Sequence, residues 1–203
     1  EGDFNFLTMM LHSKEVLYLK QNENQTDIHK NLETCQEIWN QMLWDEFGRD
    51  SIMINIGGGG LCDVGGFIAS VYKRGIDYIN IPTTLLAMVD ASVGGKTAIN
   101  FCGIKNAIGT FSNPKEVIVC TEMLDTLSDK EFHSGIAEMV KHSLIADGEM
   151  WNTILKNKKN VRSFFGSIEM IKHSIEIKNK IVLMDFEEEN ERKKLNFGHT
   201  IGH

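Results

Sequence analysis

Residues 51–81 constrain the fold of this chain more than any other stretch. A β-branched run, Ser51–Ile56, leads straight into Gly57-Gly58-Gly59-Gly60, then into a helical pattern expected from Asp63 to about Lys73, and then into a second strand, Tyr78–Ile81. Strand, glycine turn, helix, strand is a βαβ unit, the building block of an α/β fold. Backbone without Cβ atoms can approach a pyrophosphate closely and point N–H groups at it. The spacing is neither GxGxxG nor a Walker A loop, and taken alone the four glycines read equally well as a tight turn without a ligand.

The flanks extend this pattern. Glu15–Leu19 reads as a strand, and Ile28, Leu32, Cys35, Trp39, Met42 and Leu43 recur at helical spacing. A helix is expected from near Thr83, after Pro82, and a further strand over Glu116–Cys120. From Ser128 onward almost every apolar position follows a 3.6-residue period. The expected organisation is therefore an α/β domain over residues 1–126 followed by an all-α domain over 127–203. The chain opens without Met and stops at His203 inside a helical pattern, so it reads as truncated at both ends.

Composition narrows the function. Eleven of the 18 glycines fall between Gly57 and Gly109, and that block carries four Lys/Arg against three Asp/Glu in a chain whose net charge is −7. An acidic chain is a poor match for nucleic acid or an anionic membrane surface. No apolar run reaches the ~18 residues of a membrane span and no signal-peptide pattern opens the chain, so a soluble, cytoplasmic protein is expected. Cys35, Cys62, Cys102 and Cys120 form no CxxC pair, which points to reduced thiols. Arg74, Lys96 and Lys105, set among glycines, suggest a pocket for phosphate or carboxylate, although any one surface lysine is as readily a solvated one; Lys73 and Lys115 are read that way.

The helical part carries two further sets. Arg192, Asn196, His199 and His203 step by four, three and four residues, which on one helix places them on one face. This is not HExxH, since Thr200 stands where the glutamate would be. Glu138, Lys141 and His142 share a face of an earlier helix, with Gly135 allowing close approach by a neighbour. A carboxylate and an imidazole from two helices can share a divalent ion, whereas a His pair on a helix is by itself more often a surface feature. His12, His29, His133 and His173 have no such partners.

Taken in order, these stretches resemble the 3-dehydroquinate synthase family: Gly57–Phe67, Arg74-Gly75-Ile76, Pro82–Thr97, Lys105-Asn106, Ser134–Lys141 and Leu195–His203. The resemblance implies a Rossmann-like NAD-binding domain followed by a helical metal domain, with the active site in the cleft between them. It also implies a carbon–oxygen lyase of the shikimate pathway. That enzyme converts 3-deoxy-D-arabino-heptulosonate 7-phosphate to 3-dehydroquinate and phosphate by oxidation, β-elimination, re-reduction and aldol closure, with NAD regenerated. By position, the resemblance assigns Gly58, Gly59, Asp63, Thr83, Thr84, Lys105 and Thr126 to the cofactor, with Asp27 and Lys30 at the adenosine; family members commonly carry Glu where Asp27 stands. It assigns Glu138 and His199 to Zn²⁺ or Co²⁺, with a third ligand beyond residue 203. Arg74, Asp90, Lys96, Asn106, Lys141, Lys178, Arg192 and Asn196 are implied substrate contacts. Lys96, Lys141, Asn196 and His203 are the implied catalytic groups, His203 as a proton shuttle. A homodimer is the implied assembly. A metal-dependent polyol dehydrogenase of the same superfamily and another sugar phosphate cyclase are the alternatives, with a non-catalytic NAD-binding fragment as a third.

Overall fold

The computed structural model describes residues 7–12, 15–20, 30–157 and 159–198. Its strands are β1 (Leu7–His12), β2 (Glu15–Lys20), β3 (Ile52–Gly57), β4 (Asp77–Pro82), β5 (Lys96–Phe101), β6 (Ile104–Phe111) and β7 (Glu116–Val117); its α-helices are α1 (Leu32–Trp44), α2 (Gly59–Val71), α3 (Asp129–Ala146), α4 (Gly148–Lys156), α5 (Val161–Phe165) and α6 (Ile168–Met184). They form two compact units, one of Glu1–Thr83 with Gly95–Cys120 and one of Thr84–Gly94 with Thr121–His203. The second unit is thus discontinuous, a feature that no shift in composition marks.

The first unit is an α/β sheet in the order β2-β1-β3-β4-β7. β3, β4 and β7 run parallel, while β1 lies antiparallel to both β2 and β3. The βαβ unit is β3-α2-β4, with Ile54 opposite Ile79 and Ile56 opposite Ile81. α2 is apolar nearly all round, as a helix covered on most sides must be. Its Val64, Phe67, Ile68 and Ala69 share one core with Cys35 and Met42 of α1, Met53 of β3, Tyr78 of β4 and Ile99 of β5. β5 and β6 form a separate antiparallel hairpin.

Two expectations differ here. α2 starts at Gly59 rather than Asp63, so the glycine run is not a turn: Gly57 closes β3, Gly58 caps the helix with φ −73° and Gly59 and Gly60 are its first residues. No Cβ crowds that junction, and strand passes into helix without a loop. β7 pairs through Glu116–Val117, flanked by bonds from the Lys115 N–H to Tyr78 O and from the Ile118 N–H to Asn80 O. The chain then winds into a 3₁₀ turn at Thr121–Leu124, which takes the following residues out of extended conformation.

The second unit is helical, and side-chain caps set its helix starts. Ser128 Oγ accepts from Glu131 N at the head of α3, Asp147 Oδ1 from Glu149 N and Met150 N at α4, and Ser167 Oγ from Met170 N at α6. Leu85, Met88, Val89, Phe132, Met139, Ile171 and Leu195 are buried in this unit. The helix expected from Thr83 is a short one that passes into a π-helical turn, Ala87–Ala91. At Gly135 of α3 a Cβ would lie 2.6 Å from Leu85 Cβ and 2.7 Å from the Leu86 nitrogen, so only glycine permits this approach.

The expected helix through Arg192, Asn196, His199 and His203 is not formed as such over its described part. Glu191–Asn196 is a 3₁₀ turn, and Gly198 follows with φ +83°. At three residues per turn, positions four apart no longer share a face, and Arg192 is buried while Asn196 is exposed. Asp185 imposes the tight turn, its carboxylate accepting from the backbone nitrogens of Glu189, Asn190 and Arg192. Asp27, His199 and His203 lie outside the described residues. Among the described residues, no helix is long and apolar enough to cross a membrane.

Candidate active site

In the first unit Gly58, Gly59 and Thr83, three of the expected cofactor residues, lie at the carboxyl end of β3 and β4. The first N–H groups of α2 open at Gly59 and Gly60, and Thr83 donates its own N–H to Gly57 O at 2.9 Å, tying the ends of the two strands together. One turn into α2, the Asp63 carboxylate pairs with Lys30 Nζ at 2.6 Å. Lys30 is only 5% exposed, yet its ammonium also donates to Asn106 Oδ1, so one cation joins an expected cofactor residue to an expected substrate residue. Asn106 itself sits at φ +53° in β6, its N–H donating to Asn100 Oδ1 at 3.0 Å. Lys96, Lys105 and Arg74 are exposed, the last in a left-handed conformation after α2. Thr126, an expected cofactor residue that belongs to the second unit, is exposed as well.

The second unit concentrates buried charge. Asp90, on the π-helical turn, accepts from Lys178 Nζ of α6 at 2.6 Å, and the same ammonium donates to the Asp90 carbonyl. Thr84 caps the segment that leads there, its Oγ1 accepting from Ala87 N at 3.1 Å. Burial alone would raise the Asp90 pKa, but the Lys178 charge and hydrogen bond override it and hold the carboxyl below its usual range. Lys178 is more deeply enclosed, and there burial prevails over its partner and lowers the ammonium pKa. A second pair lies on α3, where Lys141 Nζ contacts Glu138 Oε1 and donates to Leu195 O at 2.5 Å. Arg192 is 2% exposed, with Nη1 donating to Phe186 O at 2.6 Å and Nη2 to Gly94 O at 2.7 Å. Gly94 has φ +100°, and a Cβ there would stand 2.8 Å from Arg192 Nη2. Exposed Asn196 donates to Glu188 Oε1.

Asp90, Glu138 and His142 each bring one donor atom to within 4.8 Å of the others. Glu138 Oε1 and His142 Nε2 are buried without a completed hydrogen bond. Two carboxylates and an imidazole around orphaned polar atoms suit a borderline divalent ion such as Zn²⁺ or Co²⁺. The family resemblance assigns Glu138 as a ligand and Asp90 as a substrate contact; His142 shares the Glu138 face and receives no role from it. The signal for it was its i+4 relation to Glu138, but spacing alone does not show that α6 buries the ring.

Residues 20–134 match the family model for the N-terminal domain of 3-dehydroquinate synthase, and residues 135–203 match that for its C-terminal domain. The 3-dehydroquinate synthase of Campylobacter jejuni is 45% identical over 182 residues, covering 86% of this chain and 51% of that protein. The chain spans about half the length of the curated relatives it matches. Among solved structures, the 2-epi-5-epi-valiolone synthase ValA of Streptomyces hygroscopicus, with NAD⁺ and Zn²⁺ bound, has a TM-score of 0.79 at 27% identity over 87% of this chain and 51% of its own. A 2-deoxy-scyllo-inosose synthase complexed with carbaglucose-6-phosphate, NAD⁺ and Co²⁺ has a TM-score of 0.77 at 26% identity, covering 91% of this chain and 50% of that one.

Proposed function

The chain belongs to the 3-dehydroquinate synthase family, and from that premise we propose that its parent enzyme converts 3-deoxy-D-arabino-heptulosonate 7-phosphate to 3-dehydroquinate and inorganic phosphate. It is read as a cytoplasmic, homodimeric carbon–oxygen lyase. The observation that carries this reading is the pairing of two carboxylates with buried lysines in one helical unit, half-buried Asp90 with Lys178 and buried Glu138 with Lys141. A substrate that bears hydroxyls, a carboxylate and a phosphate needs both hydrogen-bond acceptors and fixed cations, and that set supplies them without net charge. A simple polyol would need no such cations.

Glu138 and His199 would hold the divalent ion, with a third ligand beyond residue 203. When bound, NAD and the metal supply the oxidising power and the Lewis acidity that make a substrate C–OH oxidisable. The chain's own residues have other tasks. Gly58, Gly59 and Thr83 shape the strand-to-helix junction for the dinucleotide, with Asp63, Thr84, Lys105 and Thr126 as further cofactor residues and Asp27 and Lys30 at the adenosine; Lys30 also orients the Asp63 carboxylate through their ion pair. Lys178 holds Asp90 as an anion that can accept from a substrate hydroxyl. Lys141 is anchored by Leu195 O and stays within reach of the substrate's anionic end. Arg74, Lys96, Asn106, Arg192 and Asn196 complete the anion and hydroxyl contacts, and His203 carries the proton.

The test uses the full-length enzyme with the heptulosonate phosphate, NAD and Zn²⁺, following phosphate and NADH together. Phosphate release far beyond the NAD supplied, without NADH accumulation, is the expected result. NADH accumulation with glycerol and no phosphate release would assign a polyol dehydrogenase instead. Turnover of a hexose 6-phosphate in place of the heptulosonate would assign a different sugar phosphate cyclase.

A further inference from the structure

His142 is 0% exposed between α3 and α6 and is held firmly on one side only. Its Nδ1 lies 2.7 Å from Ser174 Oγ, itself 0% exposed on α6. On the other side Nε2 faces Glu138 Oε1 at 3.3 Å, and neither atom has a completed hydrogen bond. An unsatisfied buried polar atom is costly, and an aromatic ring of the same size would fill this space without that cost. The imidazole is therefore retained for what its nitrogens do. A neutral imidazole carries one N–H. With the Glu138 carboxylate beside Nε2, the proton belongs there, and Nδ1 accepts from the Ser174 hydroxyl.

We infer that His142 is a positioning residue for Glu138, its tautomer fixed by Ser174 so that Nε2–H restrains Oε1. Lys141 Nζ contacts the same oxygen, so both groups hold Oε1 and leave Oε2 for the metal. Carboxylate ligands are usually oriented by such outer hydrogen bonds, and contacts of this kind are often long before the ligand is in place. Direct ligation by His142 Nε2 would instead require the proton to leave Nε2 and Nδ1–H to donate to Ser174 Oγ, and the Co²⁺ spectrum distinguishes the two arrangements. This inference rests on Glu138 being a metal ligand, as proposed above.

The experiment strips the full-length enzyme of metal and titrates Zn²⁺ against a chromophoric chelator. His142→Phe, which keeps a planar ring and removes the donor, weakens Zn²⁺ binding about 10- to 100-fold. His142→Gln restores most of that loss, and Ser174→Ala produces a smaller loss in the same direction. KM for the sugar phosphate at saturating Zn²⁺ is unchanged, and the Co²⁺ absorption band of His142→Phe keeps its position. Wild-type Zn²⁺ affinity in folded His142→Phe and Ser174→Ala overturns the inference, as does a shifted Co²⁺ band, which would make His142 a ligand. If His142→Phe loses its circular dichroism, Ser174→Ala carries the test alone. Glu138→Gln separates the two levels: undiminished Zn²⁺ binding in that variant removes Glu138 from the ligands and the proposed metal site fails with it, whereas a loss there with none in the His142 and Ser174 variants refutes only the relay.

Discussion

Gly135→Ala is a one-atom change with a large expected consequence. The added Cβ would stand 2.6 Å from both Leu85 Cβ and Cγ and 2.7 Å from Leu86 N. Carbon atoms in good contact are about 3.5–4.0 Å apart, so the shortfall is roughly 0.9 Å. It cannot be relieved by a rotamer change alone, because Leu85 Cβ and Leu86 N move only with the backbone, and Leu85 is fully buried. Overpacking of this kind costs about 1–3 kcal/mol, while replacing a mid-helix glycine by alanine returns about 1 kcal/mol of helix propensity. A clash against backbone belongs at the upper end of that range, leaving a net loss of about 1–2 kcal/mol. Because α3 carries Glu138 and the segment after Leu86 carries Asp90, Zn²⁺ affinity falls as well. The assay is urea unfolding of the full-length enzyme with Zn²⁺ titration alongside. Gly148→Ala serves as the control, since a Cβ there meets nothing within 4 Å; it is expected to be neutral or mildly stabilising. A Gly135→Ala enzyme as stable as Gly148→Ala, with wild-type Zn²⁺ affinity, would refute the reasoning.

Three other perturbations follow from the same structure. Lys178→Met leaves Asp90 without its cation; because the Asp90 side chain is 35% exposed against 6% for Lys178, solvent screening reduces the expected cost to about 1–3 kcal/mol. In wild type the depressed Asp90 pKa contributes stability above the usual carboxylate range that is lost as pH falls through the folded value. In the variant burial raises that pKa, so urea melts should show the deficit greatest near neutrality and shrinking toward acid; a deficit independent of pH would contradict this. Asp147→Ala removes the cap of α4 and should cost about 1 kcal/mol. The hydrogen bond from Met150 N, followed by that with His173, holds Asp147 below the ordinary 3.8, so the gap between wild type and variant in urea melts closes only as pH falls past that value, and a gap that closed on the alkaline side would be inconsistent. Burial pushes the Cys35 thiol up to about 12 and the Cys62 thiol up further, whereas Cys102 is exposed. Maleimide labelling of the native protein followed by mass spectrometry should therefore modify Cys102 first and spare Cys35 and Cys62; early labelling of Cys62 would show that α2 opens readily.

Local pattern and long-range contact divide what could be read in advance. The β3-α2-β4 unit, α1 and the helical second half were legible, because burial on one side imprints a period of 2 or 3.6 on apolar residues. The start of α2 was not, since glycine carries no side-chain signal and Gly58 to Gly60 read as a turn until the strand ends against them. The turn at Glu191–Asn196 escaped for another reason. Its 3.6-residue spacing was present, but Asp185 caps it and Arg192 is drawn to Gly94 O, a partner 98 positions away.

The sequence by itself determined the family and the chemical inventory of the site, because the residue types and their order along the chain carry both. Tertiary structure alone decided the pairings: Lys178 with Asp90 across 88 positions, Lys30 with Asn106 across 76, and Ser174 with His142 across 32. A hydrogen bond or ion pair acts over a few ångströms, and nothing in a linear order of residues states which distant groups the packed core will bring within that range.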